Sequence, residues 1–203
     1  MKNLKINVGC GSRPLKNFIN IDFDDLRALR KRYPNRKFSN NLKIKNWNIF
    51  SLPLKPNSVS EINSDALIEH LSFLEEPKFF QEMVRVLKPG GKISLSTVDF
   101  EKTVKVWLKL KDDWKGFFKN DKKSIIEENW FDTYTYNYNN RWGYITATLY
   151  GSQNGKGQFH KNCYTKKKLL KICNFYKLKV EKFEKFRWQK NRDYFIRVIA
   201  KKL

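Results

Sequence analysis

Lys5-Ile6-Asn7-Val8-Gly9-Cys10-Gly11-Ser12 and, five residues on, Asn17-Phe18-Ile19-Asn20-Ile21-Asp22 are the stretches that decide the fold. Each is a short apolar run of strand length. The first runs straight into Gly-x-Gly and the second ends on an aspartate. Glycines at a strand exit let the backbone turn sharply and lie against a ligand with no side chain in between. An ionised carboxylate is a pure acceptor, so an aspartate at the tip of the adjacent strand suits a ribose diol. Together the two stretches read as a nucleoside-binding edge of a parallel sheet.

The spacing narrows the nucleoside. A dinucleotide fingerprint takes Gly-x-Gly-x-x-Gly, a helix that opens at once and an acidic residue about 20 positions on. Here Pro14 stands at the third glycine position and Asp22 follows Gly11 by eleven residues. Residues 12–17 are too few for a helix whose N-terminus would hold a pyrophosphate. S-adenosylmethionine fits, being an adenosine with a sulfonium and an amino acid and no phosphate.

With these residues, residues 4–99 resemble the class I S-adenosylmethionine-dependent methyltransferases, specifically their small type-11-like bacterial branch. A weaker likeness returns from Gly151 to the C-terminus. Val8-Gly9-Cys10-Gly11 looks like the first motif of that family and Asp22 like its ribose acid. Trp47-Asn48-Ile49, ahead of Leu52-Pro53-Leu54, looks like the adenine-flanking segment. Asp65-Ala66-Leu67-Ile68-Glu69-His70-Leu71 looks like the helix after strand four, and Glu82 to Lys92, with Lys88-Pro89-Gly90-Gly91, like the lead-in to strand five. The resemblance implies that Gly9, Cys10 and Gly11 border the methionyl part, and that Asp65 and Ala66 border the cofactor. Asn48 stands where many relatives place an aspartate for the adenine amino group; an amide oxygen also accepts, and Ile49 would offer its backbone N–H. Arg13 either pairs with the methionyl carboxylate, for which a guanidinium has two-point geometry, or lies on the surface. Phe23 either covers one adenine face or belongs to the core.

At 203 residues the chain reads as one domain, 1–203, large enough for a real core. It has no run of eighteen apolar residues and no signal-peptide pattern, so no membrane span or export is expected. Cys10, Cys163 and Cys173 are an odd number without metal-like spacing, which suits reduced thiols in a cytoplasmic protein. The net charge of +22 divides as +7 before residue 101 and +15 after it. A basic face of that kind binds nucleic acid, an acidic glycan or a phosphorylated lipid through counterion release. Lysines scattered among asparagines also describe a merely solvated surface.

The pattern predicts strands at 4–8, 18–22, up to about 48, 59–64 and 92–98. Helices are expected at 24–33, 65–74, 78–87, 101–110 and 165–175. Leu67, Leu71 and Leu74 form the apolar stripe of the second of these. Two closing strands, 177–188 and 194–202, match the antiparallel hairpin of the family. The class is α/β, a Rossmann-like doubly wound sheet, mostly parallel, ending in that hairpin. Residues 101–161 break the rhythm and hold nearly half of the chain's aromatic residues, among them Trp107, Trp114, Trp130, Tyr134, Tyr136, Tyr138, Trp142 and Tyr144. They read as an insertion after strand five that packs over the C-terminal sheet edge as a lid.

Glu69-His70 is the tempting catalytic pair. Ubiquinone-pathway O-methyltransferases bind a divalent cation through a similar Glu-x-x-Glu-His run, but the first glutamate position here is Ala66, so no metal is expected. His70 remains a candidate base, its reference pKa lying near neutrality. His160 ends a glycine-rich loop resembling the Gly-x-Gln…Phe-His-Lys segment of the branch, and is either an acceptor-site base or a structural histidine. Asp99, just past strand five, either faces the acceptor or caps the next helix. The expected function is metal-independent methyl transfer from S-adenosylmethionine to a hydroxyl or amine of a small molecule. Relatives often occur among genes for surface-sugar synthesis, which implies a sugar or sugar nucleotide. An RNA or DNA methyltransferase using the basic C-terminal half is the first alternative, and a non-catalytic binding module with this fold is the second.

Overall fold

A computed structural model of the chain describes residues 3–33, 37–39, 41–112, 140–153, 157–188 and 193–203. Trp114, Trp130, Tyr134, Tyr136 and Tyr138 of the expected lid lie outside these residues. Seven strands form one sheet: β1 Leu4–Val8, β2 Ile19–Ile21, β3 Ile44–Lys45, β4 Val59–Asp65, β5 Leu87–Val98, β6 Leu178–Trp188 and β7 Asp193–Lys202. Their order is β3-β2-β1-β4-β5-β7-β6. β1 to β5 pair in parallel, while β7 runs antiparallel to both β5 and β6. The class expected from the sequence, a Rossmann-like sheet closed by an antiparallel hairpin, is the one observed.

The parallel strands bury their apolar residues fully, as strands covered on both faces must. Ile6, Val8, Ile21, Val59, Ile62, Ile93 and Leu95 are all completely inaccessible. Helix α1, Leu26–Arg32, is opened by Asp25, whose carboxylate accepts the Ala28 N–H, and it closes on Arg30, Lys31 and Arg32, the charge order its dipole favours. Helix α2, Glu75–Val86, lays Phe79, Phe80, Met83 and Val86 against the sheet. Helix α3 is Phe100–Trp107 and α4 is Tyr144–Tyr150. Helix α5, Lys166–Phe175, is capped by Thr165 and buries Leu169 and Cys173. Arg141 ties together the described flanks of the 101–161 segment. Its guanidinium donates to the carbonyls of Trp107, Leu108 and Leu110 at the end of α3 and pairs with Asp112 at 2.8 Å.

Two expectations are corrected. Residues 65–74 are not a helix: after β4 the chain makes a single short turn, Ile68–His70, and α2 begins only at Glu75. Ala66 sits at φ +52°, which a helix does not admit. The Glu69 carbonyl is turned outward to accept the backbone N–H groups of Lys161 and Asn162, at 2.8 and 3.1 Å, so it cannot serve a helical partner. The leucine stripe accordingly divides, Leu71 going into the core and Leu74 staying 78% exposed. The third strand is also shorter than expected: Trp47, Asn48 and Ile49 lie in the loop after it.

Candidate active site

The C-terminal ends of β1, β2, β4 and β5 meet at one edge of the sheet, and a cavity of about 590 Å³ opens there. That lies within the roughly 300–1,000 Å³ of small-molecule sites. Beneath it runs an asparagine ladder that the sequence did not announce. Asn63 on β4 donates to the Asn7 amide oxygen on β1 at 2.9 Å, and Asn7 donates to Asn20 on β2 at 2.9 Å. Asn20 then clasps Leu15 through both its backbone N–H and its carbonyl, while Asn7 reaches the Arg13 carbonyl. Three side chains on adjacent strands thus fix the loop that follows Gly9-Cys10-Gly11.

Gly9 and Cys10 both donate their N–H groups to the Ile21 carbonyl, folding the loop back over β2. Gly9 takes φ +68°, and a Cβ there would stand 2.9 Å from a methyl of Leu67. The Cys10 thiol is buried, which pushes its pKa up to about 12 and keeps it protonated and unreactive. Asp22 is buried, with one carboxylate oxygen accepting the Gly11 N–H at 2.8 Å and the other the Asp24 N–H at 3.1 Å. Each oxygen keeps a further lone pair, and the residue lines the cavity.

The remaining sequence candidates gather around the same space. Phe23 is 51% exposed at the cavity wall with the Arg32 guanidinium 5.3 Å from its ring centre. Trp47, Asn48 and Ile49 line the cavity from the loop after β3, although the Asn48 amide oxygen already accepts the Phe50 N–H. The Arg13 guanidinium stacks 4.0 Å above Trp188, at the far end of β6. Asp65 accepts from Ser96 and Asn63 and stands 3.6 Å from Arg197, and Ala66 follows it on the cavity rim. Asp99 is different. It accepts the Lys102 N–H as the cap of α3 and is not among the residues lining the cavity. Trp188, Asp193 and Thr148, which carried no motif, do line it.

On one wall the fold joins Glu69, His70 and His160, although ninety residues separate the histidines. The two rings meet edge to face with centres 4.7 Å apart. His70 donates from Nδ1 to the Phe159 carbonyl at 3.0 Å, and His160 from Nδ1 to the Thr148 carbonyl at 2.9 Å. A carbonyl only accepts, so in each neutral ring the lone pair is on Nε2. Glu69 is buried; one of its carboxylate oxygens accepts the Thr97 hydroxyl at 2.9 Å, and the other has no hydrogen-bond partner among the described residues. Burial pushes Glu69 up to about 7 and His70 down to about 4; burial and the neighbouring His70 lower His160 to about 3. Both rings are neutral at pH 7. The sequence showed each member singly, but only the fold shows that they converge.

Residues 6–95 match the model of the methyltransferase domain family. A search of curated proteins finds no sequence match. Among solved structures, the chain is similar to an S-adenosylmethionine-dependent methyltransferase from Methanosarcina mazei over 100% of its length and 94% of that chain, with a TM-score of 0.62 at 16% identity. It is similar to one from Mesorhizobium loti over 98% and 90%, with a TM-score of 0.53 at 14% identity. A Burkholderia thailandensis 1,6-didemethyltoxoflavin-N1-methyltransferase, solved with 1,6-didemethyltoxoflavin and S-adenosylhomocysteine, is matched over 98% of this chain and 70% of that one. Its TM-score is 0.55 at 9% identity.

Proposed function

We propose that this chain, whose residues 6–95 match the methyltransferase domain model and whose fold is that of S-adenosylmethionine-dependent methyltransferases, methylates a hydroxyl or amine of a small molecule, with a sugar or sugar nucleotide as the first class. The observation that carries the proposal is a single cavity that joins the Asp22 edge to the Glu69, His70 and His160 group. S-adenosylmethionine, the expected cofactor, supplies an electrophilic methyl group on sulfur when bound. Asp22 accepts from the ribose hydroxyls with the lone pairs it retains, and Arg13, stacked on Trp188, holds the methionyl carboxylate. Phe23, Trp47 and Ile49 wall the adenine, with the Asn48 side chain and the Ile49 N–H on its edge. Gly9, Cys10, Gly11, Asp65 and Ala66 complete that side.

His70 and His160 orient the acceptor. A hydroxyl or amine hydrogen pointed at an Nε2 lone pair leaves the attacking lone pair free to face the donor. Holding two reactants in that relation is worth roughly 7–11 kcal/mol of barrier. With the cofactor bound, the acceptor's lone pair would take the methyl group as its bond to sulfur breaks and S-adenosylhomocysteine leaves. The acceptor's proton would become strongly acidic, so a weakly basic imidazole or the Glu69 carboxylate would suffice to receive it. This route asks for no metal. Asp99 serves as the cap of α3 and has no part in the transfer. Three free thiols, with Cys10 and Cys173 buried, fit a reducing cytoplasm.

Calorimetry with S-adenosylhomocysteine, followed by transfer of a labelled methyl group to a panel of sugar nucleotides, tests the reading. One-to-one binding and label on a hydroxyl or amine support it. Absence of S-adenosylhomocysteine binding overturns the enzyme reading, and label found on RNA overturns the acceptor class.

A further inference from the structure

Three side chains that can each offer a lone pair meet on the cavity wall, and one of the Glu69 oxygens has no hydrogen-bond partner among the described residues. The ligand atoms of Glu69, His70 and His160 all lie within 4.8 Å of one another. Each imidazole is held at Nδ1 by a backbone carbonyl, the arrangement that fixes a ligating histidine with its free nitrogen forward. The Glu69 carboxylate is steadied on one side by Thr97 and presents an unpartnered, buried oxygen on the other. A buried carboxylate oxygen left without a partner is costly and calls for a proton or a cation. Two neighbouring cations, Lys161 and Arg32, are already matched, by Glu75 at 3.5 Å and Asp24 at 2.5 Å.

We propose that Glu69, His70 and His160 form a binding site for one divalent cation of the zinc class, open on the cavity side to an acceptor oxygen or water. A donor set of two imidazoles and one carboxylate selects zinc, cobalt or iron(II) over magnesium and calcium, which prefer all-oxygen shells. Metal–ligand lengths of about 2.0–2.2 Å put neighbouring ligand atoms about 3–3.5 Å apart. Binding would draw the three ligand atoms, which now lie within 4.8 Å of one another, to that spacing. A bound ion would take the two imidazole lone pairs and Glu69 out of the acceptor-orienting role given above and would hold the acceptor oxygen itself. The inference rests on the proposed function only for that occupant, and cation binding does not depend on methyl transfer. It also departs from the sequence reading, in which Ala66 left the Glu69-His70 run one ligand short. The third ligand comes from His160, ninety residues away.

The test is titration of the chelator-stripped full chain with Co²⁺ followed by its visible d–d absorption, with Zn²⁺ as competitor. One equivalent bound, displaced by Zn²⁺ and not by excess Mg²⁺, supports the site. Glu69→Gln and His160→Gln should each weaken Co²⁺ binding at least tenfold while S-adenosylhomocysteine binding, measured on the same samples, stays within about threefold. A wild-type protein that binds S-adenosylhomocysteine but no Co²⁺ overturns the cation site alone. Co²⁺ binding unchanged in both variants also overturns it. Failure of the wild type to bind S-adenosylhomocysteine speaks instead against the proposed function.

Discussion

Asp22 shows how much one side chain holds at this edge. Its carboxylate receives two backbone N–H groups, from Gly11 and Asp24, before any ligand arrives. Asp22→Ala should therefore cost twice. Two partly buried donors lose their partner, at about 1–3 kcal/mol of stability, and S-adenosylhomocysteine should bind about 10–100-fold more weakly, as calorimetry can measure. Asp22→Asn, which keeps the shape and one acceptor, should recover part of the stability and less of the affinity. Trp188 is the opposite kind of residue, with no signature in the sequence. It is 92% buried by its stacking on Phe195, ring centres 4.8 Å apart, and by Arg13 on its other side. Trp188→Ala should lower stability by about 3–5 kcal/mol and free Arg13, so denaturant unfolding and cofactor affinity should shift together. Asp22 was legible because a strand-end acid has a local pattern. Trp188 was not, because its meaning depends on a residue 175 positions earlier.

At the scale of elements, the loop from Gly151 to His160 sets where the imidazole lands. Gly151 takes φ +83°, and a Cβ there would stand 2.1 Å from the Gln158 carbonyl oxygen. Gly151→Ala must open the loop and shift His160. Turnover should fall at least tenfold while S-adenosylhomocysteine affinity stays near wild type, a split that separates acceptor positioning from donor binding. The Glu82–Arg85 clasp fixes the other side. Glu82 accepts the Leu52 N–H and two guanidinium hydrogens, and Arg85 also donates to the carbonyls of Leu52 and Leu54, pinning the chain just after Trp47-Asn48-Ile49. Hydrogen bonds from Arg85 hold the Glu82 carboxyl below its ordinary value. Its stabilising contribution is present above the unfolded value near 4.5 and is lost as pH falls through the lower folded one. In thermal melts from pH 7 to 3, Glu82→Gln should show a lower melting temperature at pH 7 and a shallower decline below 4.5. Strand positions and helix ends were readable because alternation and caps are local signals. The 65–74 helix was misread because its leucine spacing is helical, whereas the Glu69 carbonyl is bonded by the distant Lys161 and Asn162.

Across the whole molecule the excess positive charge, +22, is the feature the fold uses least. Several lysines are engaged individually: Lys202 donates to the Val84 and Leu87 carbonyls, and Lys168 pairs with Glu76 at 2.7 Å. No described helix is long and apolar enough to cross a membrane. If the acceptor is a small molecule, RNA should bind only at low salt, lose its binding between roughly 50 and 200 mM, and leave turnover unchanged. RNA that persists at the higher salt and competes with the acceptor would reverse that view. The sequence read the strands and capped helices well on both sides of β5, and read poorly the loops, which become informative only by what they touch. Through the bonds from the Lys161 and Asn162 amides to the Glu69 carbonyl, the wall that carries His160 is completed only after all the parallel strands have been synthesised, and Arg13 waits longer still for its partner Trp188. Exchanging the stretch that carries His160 for that of a relative should therefore change which acceptor is methylated while S-adenosylhomocysteine affinity stays near wild type.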